Sequence, residues 1–208
     1  MRLLNVVASP RGGESVSRRL ADGFLDALGA VDPDLQVDTL DVWAAELPEF
    51  DAAGIGVKYK RVSGEALSES EARVGAAVDA LVERFRAADR IVVGVPMWNW
   101  SLPYKLKQLI DLVCQRGALF EFADGTYGPA LSVPRGLVIG VRGQDHDAGF
   151  TGGRVSDADH HVGFVRFWLA AIGVARVETV LVDHTWDEHA AESEAAGLVA
   201  LRALAAEF

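Results

Sequence analysis

The sequence predicts an α/β fold in which helices cover both faces of a five-stranded parallel sheet. Residues 91–95 form an unbroken apolar run, IVVGV, which is typical of a strand buried on both faces. Similar apolar segments alternate along the chain with stretches whose apolar residues recur at helical spacing. Strands that alternate with helices are joined by crossover connections and lie parallel, so we expect a doubly wound sheet.

Five segments are predicted as strands, and a helix is predicted after each. The strands are residues 3–8, 35–42, 91–95, 136–141 and 175–182. The helices are marked by five sets of apolar residues: Leu20, Phe24 and Leu28; Val74, Val78, Leu81, Val82 and Phe85; Leu106, Leu109, Ile110 and Val113; Val162, Val165, Trp168 and Leu169; and Ala191, Leu198, Leu201 and Leu204.

Helix starts are predicted from capping residues. Ser68 and Glu71 have the spacing of a capping box, Ser101 precedes a proline in the first turn, and Asp187 is expected to cap the last helix. Residues 43–67 show no clear periodicity. A loop of that length in a compact domain is usually a lid, a binding loop or a subunit contact.

The strand order follows from the handedness of the connections. Right-handed crossovers favour the flavodoxin-like order 2-1-3-4-5 within a single domain of 208 residues. In that order strands one and three flank the point where the winding reverses, and open α/β sheets bind ligands there, at the carboxyl ends of the strands. The loops after strands one and three are therefore predicted to meet.

Composition and charge exclude several classes of partner. The formal net charge of −10 argues against a nucleic-acid or anionic-membrane partner. No stretch approaches the roughly 20 apolar residues of a membrane span, and no secretory signal is present, so we expect a cytoplasmic chain. The single cysteine, Cys114, cannot form an internal disulfide and is interpreted as a small core residue rather than a reactive thiol.

The loop after strand one has the composition of a phosphate site. Hydroxyls of Ser9, Ser15 and Ser17 surround a helix start whose first N–H groups have no helical partner, and Arg11 or Arg18 adds charge. The alternative is that Ser15 or Ser17 only caps the helix. The sequence contains neither G-x-G-x-x-G nor G-x-x-x-x-G-K-[ST], which excludes those two nucleotide motifs.

The loop after strand three offers aromatic surface and an amide. It contains Pro96, Met97, Trp98, Asn99 and Trp100. Next to a phosphate site, these residues indicate a mononucleotide with a planar ring system, and FMN fits both ends. On the loop after strand four, Arg142, Gly143 and His146 are expected near the pyrimidine end of the ring. The alternative interpretation makes the tryptophans core residues and Arg142 half of a surface ion pair.

Three motifs resemble the FMN-dependent NADH azoreductases, also called NADH:quinone oxidoreductases. They are SPR with S-x-S at residues 9–17, PMWNWSLPY-x-LK-x-x-x-D at residues 96–111, and G-x-x-F at residues 117–120. The resemblance implies a homodimer with one FMN per subunit. It also implies transfer of two electrons from NADH, or NADPH, to quinones or azo compounds by a ping-pong route, with the flavin carrying the chemistry.

The resemblance also assigns residues by position. Ser9, Ser15 and Ser17 would hold the phosphate, and Pro96, Met97, Trp98, Asn99 and Trp100 would surround the flavin. Arg142 and Gly143 would lie beside the ring, while Phe120 and Trp168 match aromatic positions of the substrate pocket. Two positions depart from the family pattern. Val16 replaces a frequent polar residue, and Val141 and Gln144 flank Arg142 and Gly143 in place of the usual hydroxyl and glycine.

Three other functions fit the sequence less well. His146, His160 and His161 lie among several aspartates and raise the possibility of a metal site, but their spacing matches no zinc motif. Hydrolase chemistry lacks the G-x-S-x-G elbow. An FMN electron carrier of the flavodoxin type, serving a protein partner, fits the acidic charge but does not need aromatic residues that shape a small-molecule pocket.

Overall fold

The computed structural model describes residues 1–145, 149–150, 153–154 and 160–208. His146 and most of the aspartates near it lie outside these residues. The central sheet has five parallel strands in the order β2-β1-β3-β6-β9, which is the predicted order 2-1-3-4-5. Its strands are β1 (Arg2–Val7), β2 (Gln36–Asp41), β3 (Arg90–Pro96), β6 (Val133–Val141) and β9 (Val174–Val182).

Six α-helices are found among the described residues, together with a 3-10 turn at Gly12–Glu14 and two short hairpins. The helices are α1 (Val16–Val31), α2 (Ala52–Ser63), α3 (Glu69–Arg86), α4 (Tyr104–Val113), α5 (Val162–Ile172) and α6 (Ala190–Ala205). The hairpins pair β4 (Phe120–Ala123) with β5 (Thr126–Pro129) and β7 (Gly149–Phe150) with β8 (Gly153–Arg154).

Each face of the sheet has its own hydrophobic core. Alternate residues of β3 point to opposite faces, so that Val93 packs with α3, α4 and α5 while Val92 packs with α1 and α6. Phe85 is fully buried in the first core and Phe24 in the second. Each such side chain stabilises the fold by about 1.5–3 kcal/mol relative to an exposed one. Burial on both faces explains the unbroken apolar run of β3.

The interpretation of residues 43–67 as an irregular loop is wrong, because they contain α2. Asp51 caps this helix by accepting hydrogen bonds from Ala53 N and Gly54 N, at 2.9 and 3.2 Å. Periodicity did not reveal the helix because its large apolar residues do not mark its inward face. Val57 is buried, whereas Tyr59 is 67% exposed.

The predicted start of the last helix is also wrong. Asp187 does not cap α6, whose N-cap is His189. The Asp187 carboxylate instead lies 2.6 Å from His184 Nδ1 and accepts a hydrogen bond from His189 N at 2.9 Å. Ala191, predicted to face inward, is exposed. Gly197, Leu201 and Ala205 are the buried residues of α6, and Leu198 and Leu204 are partly buried against the same core.

Within the described part of the chain, no helix combines the length and apolar character that a bilayer crossing requires.

The structure confirms the predicted capping box at the start of α3. Glu71 of this capping box also connects α3 to α2. Ser68 Oγ accepts from Glu71 N, and Glu71 Oε2 accepts from Ser68 N at 2.7 Å. The same carboxylate oxygen accepts from Lys60 Nζ of α2 at 2.8 Å. The hydrogen bond from Lys60, supported by those from Ser68, lowers the pKa of Glu71 to about 2.

We predict that Glu71→Gln lowers the melting temperature at pH 7 and that the difference from wild type shrinks in acid. Because the pKa of Glu71 is depressed in the folded state, its ionised form stabilises the protein above the ordinary value of 4.5. That stabilisation is lost as pH falls toward about 2. Thermal unfolding between pH 7 and pH 3 measures it. Glu69→Gln, at an exposed residue paired with Arg73, is the control. An equal effect of both variants would contradict the assignment.

Candidate functional site

The loop after β1 collects three buried hydroxyls at the start of α1. Ser9, Ser15 and Ser17 are each at most 3% exposed. Ser15 Oγ accepts from Arg18 N at 3.3 Å and lies 3.1 Å from Ser17 Oγ. Ser15 is therefore the N-cap, as the alternative interpretation held. A hydroxyl that accepts one hydrogen bond still has a proton to donate, so capping does not remove it from an anion site.

The beginning of α1 is favourable for an anion. Its first turn carries no Asp or Glu, although helix starts usually attract them. The side chain of Arg18 pairs with Asp41 at 3.3 Å, whereas Arg11 is about half exposed and pairs with Glu14 at 3.7 Å. The positive potential at this helix start therefore comes mainly from backbone N–H groups and hydroxyls.

Gly94 of β3 allows α1 to begin close to the sheet. A β-carbon at this position would lie 3.1 Å from the backbone oxygen of Ser17, which is tighter than almost all real contacts. The glycine thus lets the helix start press against the strand that leads into the aromatic loop. The two predicted halves of the site meet through this contact.

The aromatic loop after β3 is a tight turn. Trp98 N donates to Ser101 O at 2.8 Å and Ser101 N donates to Trp98 O at 3.0 Å. Asn99 and Trp100 between them have φ values of 48° and 64°, the pattern of a type I′ turn. Asparagine tolerates this left-handed region, but for tryptophan it is strained, at a cost of about 1–3 kcal/mol. Such strain is found mostly at functional sites.

Ser101 is not the N-cap of α4, contrary to the sequence prediction. Its backbone is used in the turn with Trp98, and its hydroxyl donates to His160 O at 3.1 Å. The helix begins only at Tyr104, after Pro103.

Neither tryptophan of this turn is a core residue. Trp98 is partly buried, and Trp100 is 55% exposed. Trp98 is supported by Trp43, whose ring centroid lies 6.1 Å away and whose Nε1 donates to Ala8 O at 2.9 Å. Sequence reasoning missed Trp43, because it was placed in a long loop without periodicity.

The loop after β6 is bonded to its neighbours on both sides. Met97 N donates to Val141 O at 2.7 Å, and Arg142 N donates to Val182 O at 2.9 Å. Arg142 is only 2% exposed, so its side chain is not the surface group that the alternative interpretation made it. Its carbonyl accepts hydrogen bonds from Thr185 N at 3.1 Å and Thr185 Oγ1 at 2.8 Å.

These three loops and the loop after β9 enclose one pocket. The space between the loops measures about 400 Å³, including space open to solvent. Its lining residues are Ser9, Arg11, Ser15, Val16, Ser17, Pro96, Met97, Trp98, Val141, Gly143, Thr185 and Trp186. Most of the predicted cofactor residues are thus brought together. Asn99, Trp100 and Arg142 adjoin this set without lining the pocket, and His146 lies outside the described residues.

Thr185 and Trp186 were not predicted. They follow the carboxyl end of β9, the fifth strand of the sheet. The available signal was their position after a strand at the ligand-binding edge, but residues 183–189 contain no recognised motif.

The two predicted substrate-pocket aromatics do not line this pocket. Phe120 is partly exposed on the β4–β5 hairpin, 5.7 Å from the ring of Tyr127. Trp168 is 4% exposed in the core, where its Nε1 donates to Cys114 Sγ at 3.1 Å. Helical spacing places Trp168 on the inward face of α5 with Val165 and Leu169. Burial raises the pKa of Cys114 to about 11, which agrees with an inert core thiol.

The histidines near the pocket do not form a metal site with other described residues. His161 is fully buried, and its Nε2 lies 2.9 Å from Val95 O. His160 is exposed. Among residues 1–145 and 160–208, no three His, Cys, Asp or Glu side chains are placed to hold a metal ion.

Comparisons with known proteins agree with this geometry. Residues 1–205 match a family described by its flavodoxin-like fold. FMN-dependent NADH:quinone oxidoreductase 2 of Burkholderia lata is 47% identical, with both chains covered completely. A protein of the same name from Pseudomonas syringae pv. tomato is 39% identical over 89% of this chain and 87% of its own.

Solved structures agree as well. An azoreductase from Bacillus anthracis superposes with a TM-score of 0.90 at 26% identity, with both chains fully covered. An FMN-dependent NADH-azoreductase from the same species, in complex with FMN, has the same fold with a TM-score of 0.88 at 18% identity over 99% of this chain and 98% of its own. The resemblance noted from residues 9–17 and 96–111 is confirmed. The chain belongs to the flavodoxin-like family of the FMN-dependent NADH:quinone oxidoreductases.

Proposed function

We propose that this protein is an FMN-dependent oxidoreductase that takes a hydride from NADH or NADPH and passes two electrons to a quinone or azo compound by a ping-pong mechanism. One observation carries the proposal: a single pocket joins three buried hydroxyls at a helix start to the aromatic turn after β3. Two relatives are named FMN-dependent NADH:quinone oxidoreductase, which supports the flavin, the nicotinamide donor and the quinone acceptor.

The phosphate end suits a dianion. Ser9, Ser15 and Ser17 are buried donors, and the N–H groups of the first turn of α1, beginning at Val16, have no carboxylate beside them. Arg11 lies at the rim and adds a cation. Val16 contributes backbone, so its apolar side chain does not weaken the site.

The ring end suits a flat heterocycle. Pro96, Met97 and Trp98 form one wall. The Asn99 amide, which adjoins the pocket, would supply a polar partner for the flavin edge. Arg142 and Gly143 belong beside the ring on the opposite side, and the resemblance adds His146. Bound FMN supplies the ring that accepts a hydride from the nicotinamide and releases two electrons in a separate half-reaction.

The role of these side chains is to orient the flavin and to limit the access of water. No side chain of the described residues is needed as a nucleophile or as a general base. A ping-pong sequence would follow if the nicotinamide and the acceptor reached the flavin in turn through the open side of this pocket. Phe120 is proposed to contact the acceptor from the β4–β5 hairpin. Trp168 acts only indirectly, by supporting α5 from the core.

We also propose a homodimer and a cytoplasmic location. Exposed aromatic side chains include Trp100 in the turn after β3, Tyr104 at the start of α4 and Tyr127 on the β4–β5 hairpin. Such surface is typical of an interface. A single cysteine and dependence on NADH are both typical of a reducing, cytoplasmic compartment.

We predict that the protein with bound FMN is bleached by NADH in one two-electron step and fully reoxidised by benzoquinone. An anaerobic titration followed by visible absorption measures both half-reactions. Reduction in two separate one-electron steps, or no bleaching by NADH, would favour the electron carrier. Failure to bind FMN would contradict the proposal as a whole.

The double variant Ser15→Ala/Ser17→Ala is expected to bind FMN more weakly, by about 1.5–3 kcal/mol for each hydrogen bond to the phosphate that is lost. Fluorescence titration gives the dissociation constant. Ser68→Ala is the matched control, because it removes an N-cap hydroxyl from α3, away from the pocket. The control should lower thermal stability without changing FMN affinity. Equal affinity in the double variant and wild type would refute the phosphate assignment.

Gly94→Ala should weaken FMN binding by displacing the start of α1 from β3. Overpacking of this kind costs about 1–3 kcal/mol, part of it in stability. Gly29→Ala in the same helix is the control, since a β-carbon there meets nothing within 4 Å. The comparison needs FMN titrations and melting curves for both variants. If Gly94→Ala melts at a lower temperature but binds FMN normally, the close approach serves stability alone.

A further inference from the structure

Residues 183–189, between β9 and α6, are hydrogen-bonded to the loop after β6 at the edge of the pocket. Thr185 makes two hydrogen bonds to the carbonyl of Arg142, and Trp186 N donates to Gly143 O at 3.2 Å. Arg142 and Gly143 are the residues expected beside the flavin ring. The segment is therefore fixed to the part of the site that would meet the ring system.

Trp186 lies against Gly143 and faces the pocket. A β-carbon built on Gly143 would be only 2.8 Å from Cδ2 of the indole, so the ring occupies the space that a side chain would need. The same indole is one of the lining residues of the pocket, yet it is 73% exposed. A large apolar ring that is held in place and left uncovered beside a pocket is suited to contact a ligand.

Hydrogen bonds between residues of the segment itself hold it in its conformation. His184 has a φ of 60°, in the left-handed region, and its Nδ1 lies 2.6 Å from Asp187 Oδ2. The other carboxylate oxygen of Asp187 accepts from His189 N at 2.9 Å. Trp186 lies between the paired residues, so the pair closes a short loop around it.

We propose that Trp186 is a further flavin-binding residue, which forms an outer wall of the pocket against the bound nucleotide, and that the His184–Asp187 pair positions it. The inference depends on the proposed function, because it requires FMN in this pocket. Trp186 touches the flavin directly, whereas His184 and Asp187 act only through the conformation of the segment. The two departures from the family pattern, Val141 and Gln144, flank the same Arg142 and Gly143 to which this segment is hydrogen-bonded.

The pair makes the position of Trp186 depend on pH. The hydrogen bond with Asp187 raises the pKa of His184, and the carboxylates of Asp145 and Asp183 act in the same direction. His189 is the other titratable group facing it, with ring centroids 5.6 Å apart. A raised pKa means that the charged pair is complete below the ordinary value of 6.5 and weakens as pH rises through the folded value.

The first test is the dissociation constant of FMN for three proteins. Trp186→Ala should bind FMN about tenfold more weakly than wild type, because stacking of a heterocycle on an aromatic side chain is worth about that much. Trp186→Phe keeps an aromatic wall and should stay within about threefold of wild type. Because Trp186 is exposed, both variants are expected to fold, and circular dichroism checks this.

The second test separates positioning from general stability. Asp187→Asn should weaken FMN binding at pH 6, and the ratio of its dissociation constant to that of wild type should fall toward one at pH 9. Protonation of the phosphate of FMN cancels in this ratio. Asp38→Asn on β2, the edge strand opposite β9, removes the ion pair with Arg84 and should give a ratio near one throughout.

Each outcome has a distinct meaning. Wild-type affinity in Trp186→Ala would overturn the role of the indole while leaving the proposed function intact. A pH-independent ratio for Asp187→Asn would overturn the positioning role of the pair. Failure of the wild-type protein to bind FMN would instead reject the proposed function, and this inference with it.

Discussion

The pairing of β3 with β1 and β6 is the interaction on which the rest of the molecule depends. Because β3 lies in the middle of a parallel sheet, its hydrogen bonds are made on both edges and its side chains are covered on both faces. Parallel strands bring their carboxyl ends to one edge. The loops after β1, β3, β6 and β9 therefore converge without any long-range motif to direct them. The pocket is a consequence of the sheet.

The anion site proposed at the start of α1 relies on dipoles more than on charges. The chain carries a net charge of −10, and the Arg18 guanidinium is paired with Asp41. Buried hydroxyls and the open N–H groups of α1 take the place of lysines. Such a site needs accurate geometry because each donor is weak. The close approach of α1 to β3 at Gly94 supplies that geometry.

At the end of the pocket proposed for the flavin ring, a strained turn is held by hydrogen bonds and by a neighbouring aromatic ring. Trp100 is held in a backbone conformation that tryptophan rarely adopts, and the two hydrogen bonds between Trp98 and Ser101 maintain it. Trp43, held by its bond to Ala8 O, lies beside Trp98. Trp186 packs against Gly143 and lines the same pocket. Aromatic surface contributed by two different loops suits a planar ligand.

The sequence by itself determined the fold class, the strand order and the two loops that make most of the pocket. These features depend on local patterns: apolar runs, helical spacing, and serines or tryptophans directly after strands. Only the tertiary structure decided where α2 lies, since that helix exposes Tyr59 and its outward face carries apolar residues. It also placed Trp168 in the core and brought Trp43, Thr185 and Trp186 to the site. Those placements depend on contacts between residues far apart in the chain, such as Thr185 with Arg142, and no local pattern encodes such contacts.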